Sequence, residues 1–222
     1  MITYDYCTKQ YNFISLVSDL FQVNALESLH TVQSKIANGS SIEWKDESSS
    51  EFHKLFYGRL SLDKDNVWSE IVDVYDSFVR DEVSKRVPGE FLVQKFPSFR
   101  VQLPNSRAIN KWHCDSDKDH GHPEGEINIQ IPLTVMYDTS ATWIESVPGM
   151  HDFKPMNMVP GQYTIFNGNK CIHGNKTNTT GLTRVSFDFR IIRKETLAAQ
   201  NTRNSATLGV KFTVGGYYKE VK

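Results

Sequence analysis

From Arg184 to Ile191 the chain alternates strictly: Val185, Phe187, Phe189 and Ile191 are apolar, while Arg184, Ser186, Asp188 and Arg190 are polar. A period of two makes a β-strand with one apolar and one polar face, because successive side chains leave opposite sides of the pleat. The rhythm recurs where Phe99, Val101 and Leu103 alternate with Arg100 and Gln102, and where Ile127, Ile129 and Ile131 alternate with Glu126, Asn128 and Gln130. Two arrangements satisfy such strands. One is an antiparallel sheet with a wet face. The other is a barrel whose polar faces line a cavity while its apolar faces pack against helices. The second is expected here, because Arg184 and Ser186 fall on the polar side and suit a ligand site.

The period differs before Glu90. Phe13, Leu16, Val17, Leu20 and Phe21 recur at helical steps. Asn24 with Glu27 resembles a capping box opening a second helix through Leu26, Leu29 and Val32. After Asn38-Gly39-Ser40-Ser41 and the run Ser48-Ser49-Ser50, a short helix is predicted through Phe52, Leu55 and Phe56. Asp65 or Asn66 can cap a longer one bearing Trp68, Ile71, Val72, Tyr75, Phe78 and Val79, which Pro88-Gly89 ends. Helices followed by strands predict an α+β fold, mainly β. The 222 residues fit one domain: a helical part over 1–89, a β core over 90–194 and a C-terminal extension over 195–222. Within that extension Val210-Lys211-Phe212-Thr213-Val214 could form a late strand, and Gly215-Gly216-Tyr217-Tyr218 a lid or an edge.

The net charge of −1 gives no field to gather nucleic acid or anionic lipid, so neither is an expected partner. Cys7, Cys114 and Cys171 are too few for a disulfide framework and suit a reducing compartment. No leader pattern and no apolar run long enough for a bilayer is present, so a cytoplasmic protein acting on a small molecule is expected. The triplet Asn38-Gly39-Ser40 then has no glycosylation role.

His113-Cys114-Asp115 and the distant His173 supply two imidazoles and one carboxylate, the set that holds iron(II) on one face and leaves the other open. His113 and Asp115 stand two apart, so on a regular strand they point the same way. Arg184 offers a planar fork that matches a carboxylate at two points, and Ser186 on the same face adds a hydrogen bond. Together they suit a 2-oxo acid; the competing reading of Arg184 is a salt bridge to Asp188. Asp115, Asp117, Asp119 and Glu126 imitate a calcium loop, but His120 takes the place of its glycine. His120 and His122 could build a zinc site with His113, although their glycine- and proline-rich loop predicts solvent-exposed histidines. Cys114 should point away from the ligands. Arg100, Trp143 and Glu145 could orient a polar substrate, and Trp143 could equally be a core anchor.

The stretch from Phe99 to Ile192 resembles the 2-oxoglutarate oxygenases typified by streptomycin-biosynthesis hydroxylase-like proteins, and more distantly the phytanoyl-CoA dioxygenase group. The resemblance lies in His122-Pro123-Glu124-Gly125-Glu126-Ile127-Asn128, Gly168-Asn169, His173-Gly174-Asn175 and the run Gly181 to Arg190. It implies a double-stranded β-helix (jelly roll) core with N-terminal helices packed on it. It implies iron(II) on His113, Asp115 and His173, 2-oxoglutarate on Arg184 and Ser186 with Asn128 and Gln102 as further contacts, and dioxygen as cosubstrate. It also implies hydroxylation or another oxidation rather than halogenation, since Asp115 is present, with release of succinate and carbon dioxide. A redox-silent metal barrel (an isomerase or binding module) and a peptide or protein hydroxylase are the alternatives.

Overall fold

The computed structural model describes residues 1–32, 51–58, 67–107, 111–200, 204 and 209–221. Its larger sheet has seven strands, six of them in the order β1 (Ile2–Asp5), β7 (Gln162–Phe166), β4 (Ile127–Pro132), β9 (Arg184–Arg193), β2 (Phe91–Gln94) and β10 (Tyr218–Glu220). β3 (Ser98–Gln102) shares with β2 the edge of β9 away from β4. A smaller sheet runs β6 (Lys154–Pro155), β5 (Thr142–Ile144), β8 (His173–Asn175). The strand pairings in both sheets are antiparallel.

The alternation in β9 decides between the two arrangements above. Its apolar residues Val185, Phe187, Phe189 and Ile191 join one core with the N-terminal helices. Its polar residues are equally shut from water: Arg184 is 2% exposed, Ser186 0%, Asp188 8% and Arg190 7%. A polar face this deeply buried must satisfy itself or hold something. Register fixes its neighbours, with Asn128 opposite Arg190 and Gln130 opposite Asp188 on β4, and Arg100 opposite Ser186 on β3.

The helices cover the other face. α1 (Phe13–Phe21) buries the five predicted apolar residues and ends at Gln22, whose φ of 55° breaks the spiral. α2 (Glu51–Gly58) brings Phe56 flat onto Phe99, rings 4.4 Å apart. α3 (Val67–Phe78) continues through a π turn at Val79–Val83 to Arg86, just ahead of Pro88-Gly89. Phe13 touches both Phe78 and Phe187 edge to face, so helix and sheet share one aromatic layer. A short α4 (Lys194–Ala198) follows β9.

Three sequence expectations change. The first ninety residues are not all helical: Ile2–Asp5 forms β1, pairing with β7 and setting Tyr4 against Tyr163. Leu26–Val32 is a 3-10 helix rather than an α-helix. Thr183 N–H takes the Glu27 carbonyl, and the Thr31 hydroxyl bonds back to the Ser28 carbonyl, both of which compete with the wider α spiral. The late strand is not at 210–214 but at Tyr218–Glu220, which pairs with β2. The polar break at 38–41, the serine run 48–50 and the Asp65 or Asn66 cap lie outside the described residues. Among the described residues, no helix is long and apolar enough to cross a membrane.

Candidate metal centre

His113 and His173 are joined by reciprocal backbone hydrogen bonds, His113 N–H to His173 O at 3.0 Å and the reverse at 2.9 Å. Their rings come to 4.7 Å. Each Nδ1 meets a carbonyl two residues earlier, Lys111 O at 3.0 Å and Cys171 O at 3.1 Å. A carbonyl only accepts, so both Nδ1 atoms carry the proton and both Nε2 lone pairs are left for a ligand. Both Nε2 atoms face Asp115 Oδ1, at 3.5 Å from His113 and 3.8 Å from His173. Donors about 2.0–2.2 Å from a metal can stand that far apart around one ion, so this buried cluster fits the iron(II) ligand set.

The local backbone departs from the regular strand expected for His113 and Asp115. His113 sits in an isolated bridge, and Asp115 opens a turn whose N–H donates to Gly168 O at 2.9 Å. Burial alone would raise the Asp115 carboxyl, but Arg190, then His113 and His173, hold it well below the usual carboxylate range. Burial pushes the His173 imidazole down, against the pull of Asp115. A carboxylate and neutral imidazoles are the forms a metal requires.

Arg184 stands at the start of β9 with Nη1 donating to Ser186 Oγ at 3.3 Å. It lines the same cavity as the histidines, about 470 Å³ including its open mouth, between the two sheets. Asp188, the alternative partner for Arg184, is instead bridged by Arg100 (Nε to Oδ1, 2.5 Å) and Arg190 (Nη1 to Oδ2, 2.9 Å). Burial would raise the Asp188 carboxyl; Arg100 and Arg190 bring it below its ordinary value.

The remaining candidates separate. Asn128 lines the cavity, yet its Nδ2 donates to Asp115 Oδ2 at 2.7 Å. Arg100 lines the cavity through its pair with Asp188. Gln102 is fully buried and donates to the loop carbonyls of Ser106 and Lys176. Trp143 donates to Asp138 O and carries the Lys176 ammonium 3.2 Å above its ring. The Glu145 carboxylate accepts from Ile172 N–H at 2.6 Å and His151 N–H at 3.0 Å, the first of which most lowers its pKa. Gln102, Trp143 and Glu145 thus hold backbone, and none of them lines the cavity.

Nor are the loop histidines solvent-exposed as expected. His120 stacks on His113, ring centroids 3.9 Å apart, and His122 Nδ1 donates to Glu126 Oε2, 2.8 Å away. The calcium-loop carboxylates are spent individually, Asp117 on His120, Asp119 on Lys111 and Glu126 on His122 and Tyr218. Sequence reasoning gave no role to Arg190, whose Nε donates to Asp115 Oδ2 at 3.0 Å. Its signal was the two-residue period that sets it on the polar face. Thr142, Asn175 and Gln130, which also line the cavity, were missed.

No family model matches the chain. The streptomycin biosynthesis protein StrG of Streptomyces griseus is 34% identical over 175 residues, spanning 79% of this chain and 78% of StrG. Among solved structures, a nickel complex of the non-heme monooxygenase ThoJ has the same fold at a TM-score of 0.51 and 13% identity, over 87% of this chain and 73% of ThoJ. The non-heme alpha-ketoglutarate-dependent carbocyclase SnoK, from nogalamycin biosynthesis, gives 0.44 and 14% over 58% of this chain and 61% of SnoK.

Proposed function

The chain belongs to the family of the streptomycin biosynthesis protein StrG, and we propose that it is an iron(II)- and 2-oxoglutarate-dependent dioxygenase that hydroxylates a small polar metabolite. The observation that carries this reading is that both imidazole Nε2 atoms turn toward Asp115 Oδ1 in a cavity that Arg184 also lines. In this reading the two facing sheets are a double-stranded β-helix and the chain is one domain. We assign it to a reducing, cytoplasmic setting, which suits three cysteines that are all free thiols.

His113, Asp115 and His173 would hold the iron. Arg184 and Ser186 would take the distal carboxylate of 2-oxoglutarate, the guanidinium at two points and the hydroxyl at a third. Iron bound there supplies dioxygen activation and the oxidative decarboxylation that yields succinate and carbon dioxide. The protein's work is orientation. The Nδ1 bonds to Lys111 O and Cys171 O fix both rings, and burial keeps bulk water from the reacting centre. The uncharged Gln130, Thr142 and Asn175 line the cavity beside His173, which favours a hydroxylated or amidated substrate over an apolar one.

The test is an anaerobic titration of metal-free protein with iron(II) and then 2-oxoglutarate, following the visible metal-to-ligand charge-transfer band. Wild type should develop the band, Asp115→Ala should lose it with the metal, and Arg184→Ala should need far more 2-oxoglutarate. Tight metal binding with no band would sink the oxygenase reading in favour of a redox-silent barrel.

A further inference from the structure

Resting on the metal reading above, we infer that Arg190 and Asn128 are positioning residues that confine Asp115 to one-point ligation and so keep a coordination position open. The two oxygens of Asp115 have different surroundings. Oδ1 faces both histidine Nε2 atoms. Oδ2 accepts from Asn128 Nδ2 at 2.7 Å and from Arg190 Nε at 3.0 Å. A carboxylate oxygen that takes two donors, one of them a guanidinium, has little electron density left to offer a cation. Turning it toward the metal would break both bonds at a buried site, where an abandoned donor is costly.

The two donors are themselves fixed. Asn128 and Arg190 are register partners, so one rung of the sheet delivers both. Arg190 Nη1 is held at 2.9 Å by Asp188, which Arg100 holds in turn. The Asn128 amide lies against Gly168, where an added Cβ would come within 2.8 Å of its carbon. A carboxylate cannot donate, so the amide must present its NH2 to Asp115. Nothing in this frame lets the carboxylate rotate freely.

The consequence is one of coordination number. Around an ion that takes six ligands, two imidazoles and a one-point carboxylate would supply three. A 2-oxo acid held at two points would take two more, leaving one open. An Asp115 bound through both oxygens would consume that last position. Arg190 and Asn128 therefore act on reactivity through the carboxylate they hold.

The experiment is a manganese(II) titration of metal-free wild type, Asn128→Ala and Arg190→Met, read by water-proton relaxation, with circular dichroism to establish folding. Relaxation reports affinity and, per bound ion, the number of coordinated waters. We expect affinity about 10–100-fold weaker in each variant and lower relaxation per bound ion, because a two-point Asp115 displaces a water. Unchanged relaxation per ion in the folded variants would overturn the inference, whatever the affinity. Asn128→Ala keeps every charge, so it remains a test if Arg190→Met does not fold. Failure of the underlying reading looks different: wild type would then bind no manganese, or Asp115→Ala would bind it as well as wild type does.

Discussion

At the scale of single residues, geometry and not charge alone separates the candidates. Arg184→Lys keeps the positive charge but loses the planar fork, so the 2-oxoglutarate requirement should rise about tenfold or more, the equivalent of ~1.4 kcal/mol, with little change in kcat. Initial rates against 2-oxoglutarate concentration check this; an unchanged KM would remove Arg184 from the carboxylate site. Gly168→Ala drives a methyl into the Asn128 amide, so it should weaken metal binding while leaving the far end of the cavity intact. Isothermal titration with manganese would measure it, and wild-type affinity would mean that the amide yields without cost. His113, Asp115, His173, Arg184 and Ser186 stand out from the sequence because their types and spacing are chemically restrictive, and the fold brings all five to one cavity or its wall. Glu145 and Trp143 were candidate substrate contacts, but their polar atoms are consumed by Ile172 and His151 N–H and by Asp138 O. Bonds to the main chain depend on where loops run, and side-chain chemistry does not encode that.

At the scale of elements, β9 is the hinge between core and cavity, and its two faces answer to different tests. Phe187 is fully buried among Phe13, Phe56 and Phe99, so Phe187→Ala should cost about 3–5 kcal/mol in urea unfolding. The C-terminal strand makes a second case. Tyr218 donates its hydroxyl to buried Glu126, and burial pushes that phenol well above its ordinary range. Tyr218→Phe removes the donor and leaves the carboxylate to His122 alone, which should cost about 1–3 kcal/mol. Equal stability of the two proteins would show that water replaces the hydroxyl. β4, β9 and α1 were legible because each keeps its period long enough to be read. β1 is only four residues at the chain's start and draws its stability from β7. β10 begins at the last residue of Gly215-Gly216-Tyr217-Tyr218, a stretch that reads as a lid or an edge, and pairs with the distant β2. Leu26–Val32 has a helical pattern, yet a tertiary bond to Thr183 tightens it. Local rhythm carries no information about such long-range partners.

At the scale of the whole molecule, the two layers line up a chain of charges, Arg100, Asp188, Arg190 and Asp115, of which the last three are buried and Arg100 is partly exposed at its outer end. Only Arg190 and Asp188 are visible as polar-face neighbours in sequence; the chain closes through register across β3, β4 and β9. This arrangement ties acid stability to Asp188. Burial would raise its carboxyl, but Arg100 and Arg190 outweigh that and keep it below its ordinary value. An unfolded aspartate titrates near ~3.9. A folded-state value below this means that the folded form takes up its proton later as pH falls. The stabilisation is therefore fully present above about pH 5 and is lost as pH drops through the folded-state value. Asp188→Asn leaves two guanidiniums facing a neutral amide, at a cost of about 3–5 kcal/mol near neutral pH. Below the folded-state value wild-type Asp188 is itself uncharged, so the gap between the two proteins should narrow. Urea unfolding of both at pH 7 and near the acid limit of the folded wild type measures that gap. A gap that stayed constant would mean that Asp188 contributes by shape and hydrogen bonding, with its charge carried elsewhere in the chain.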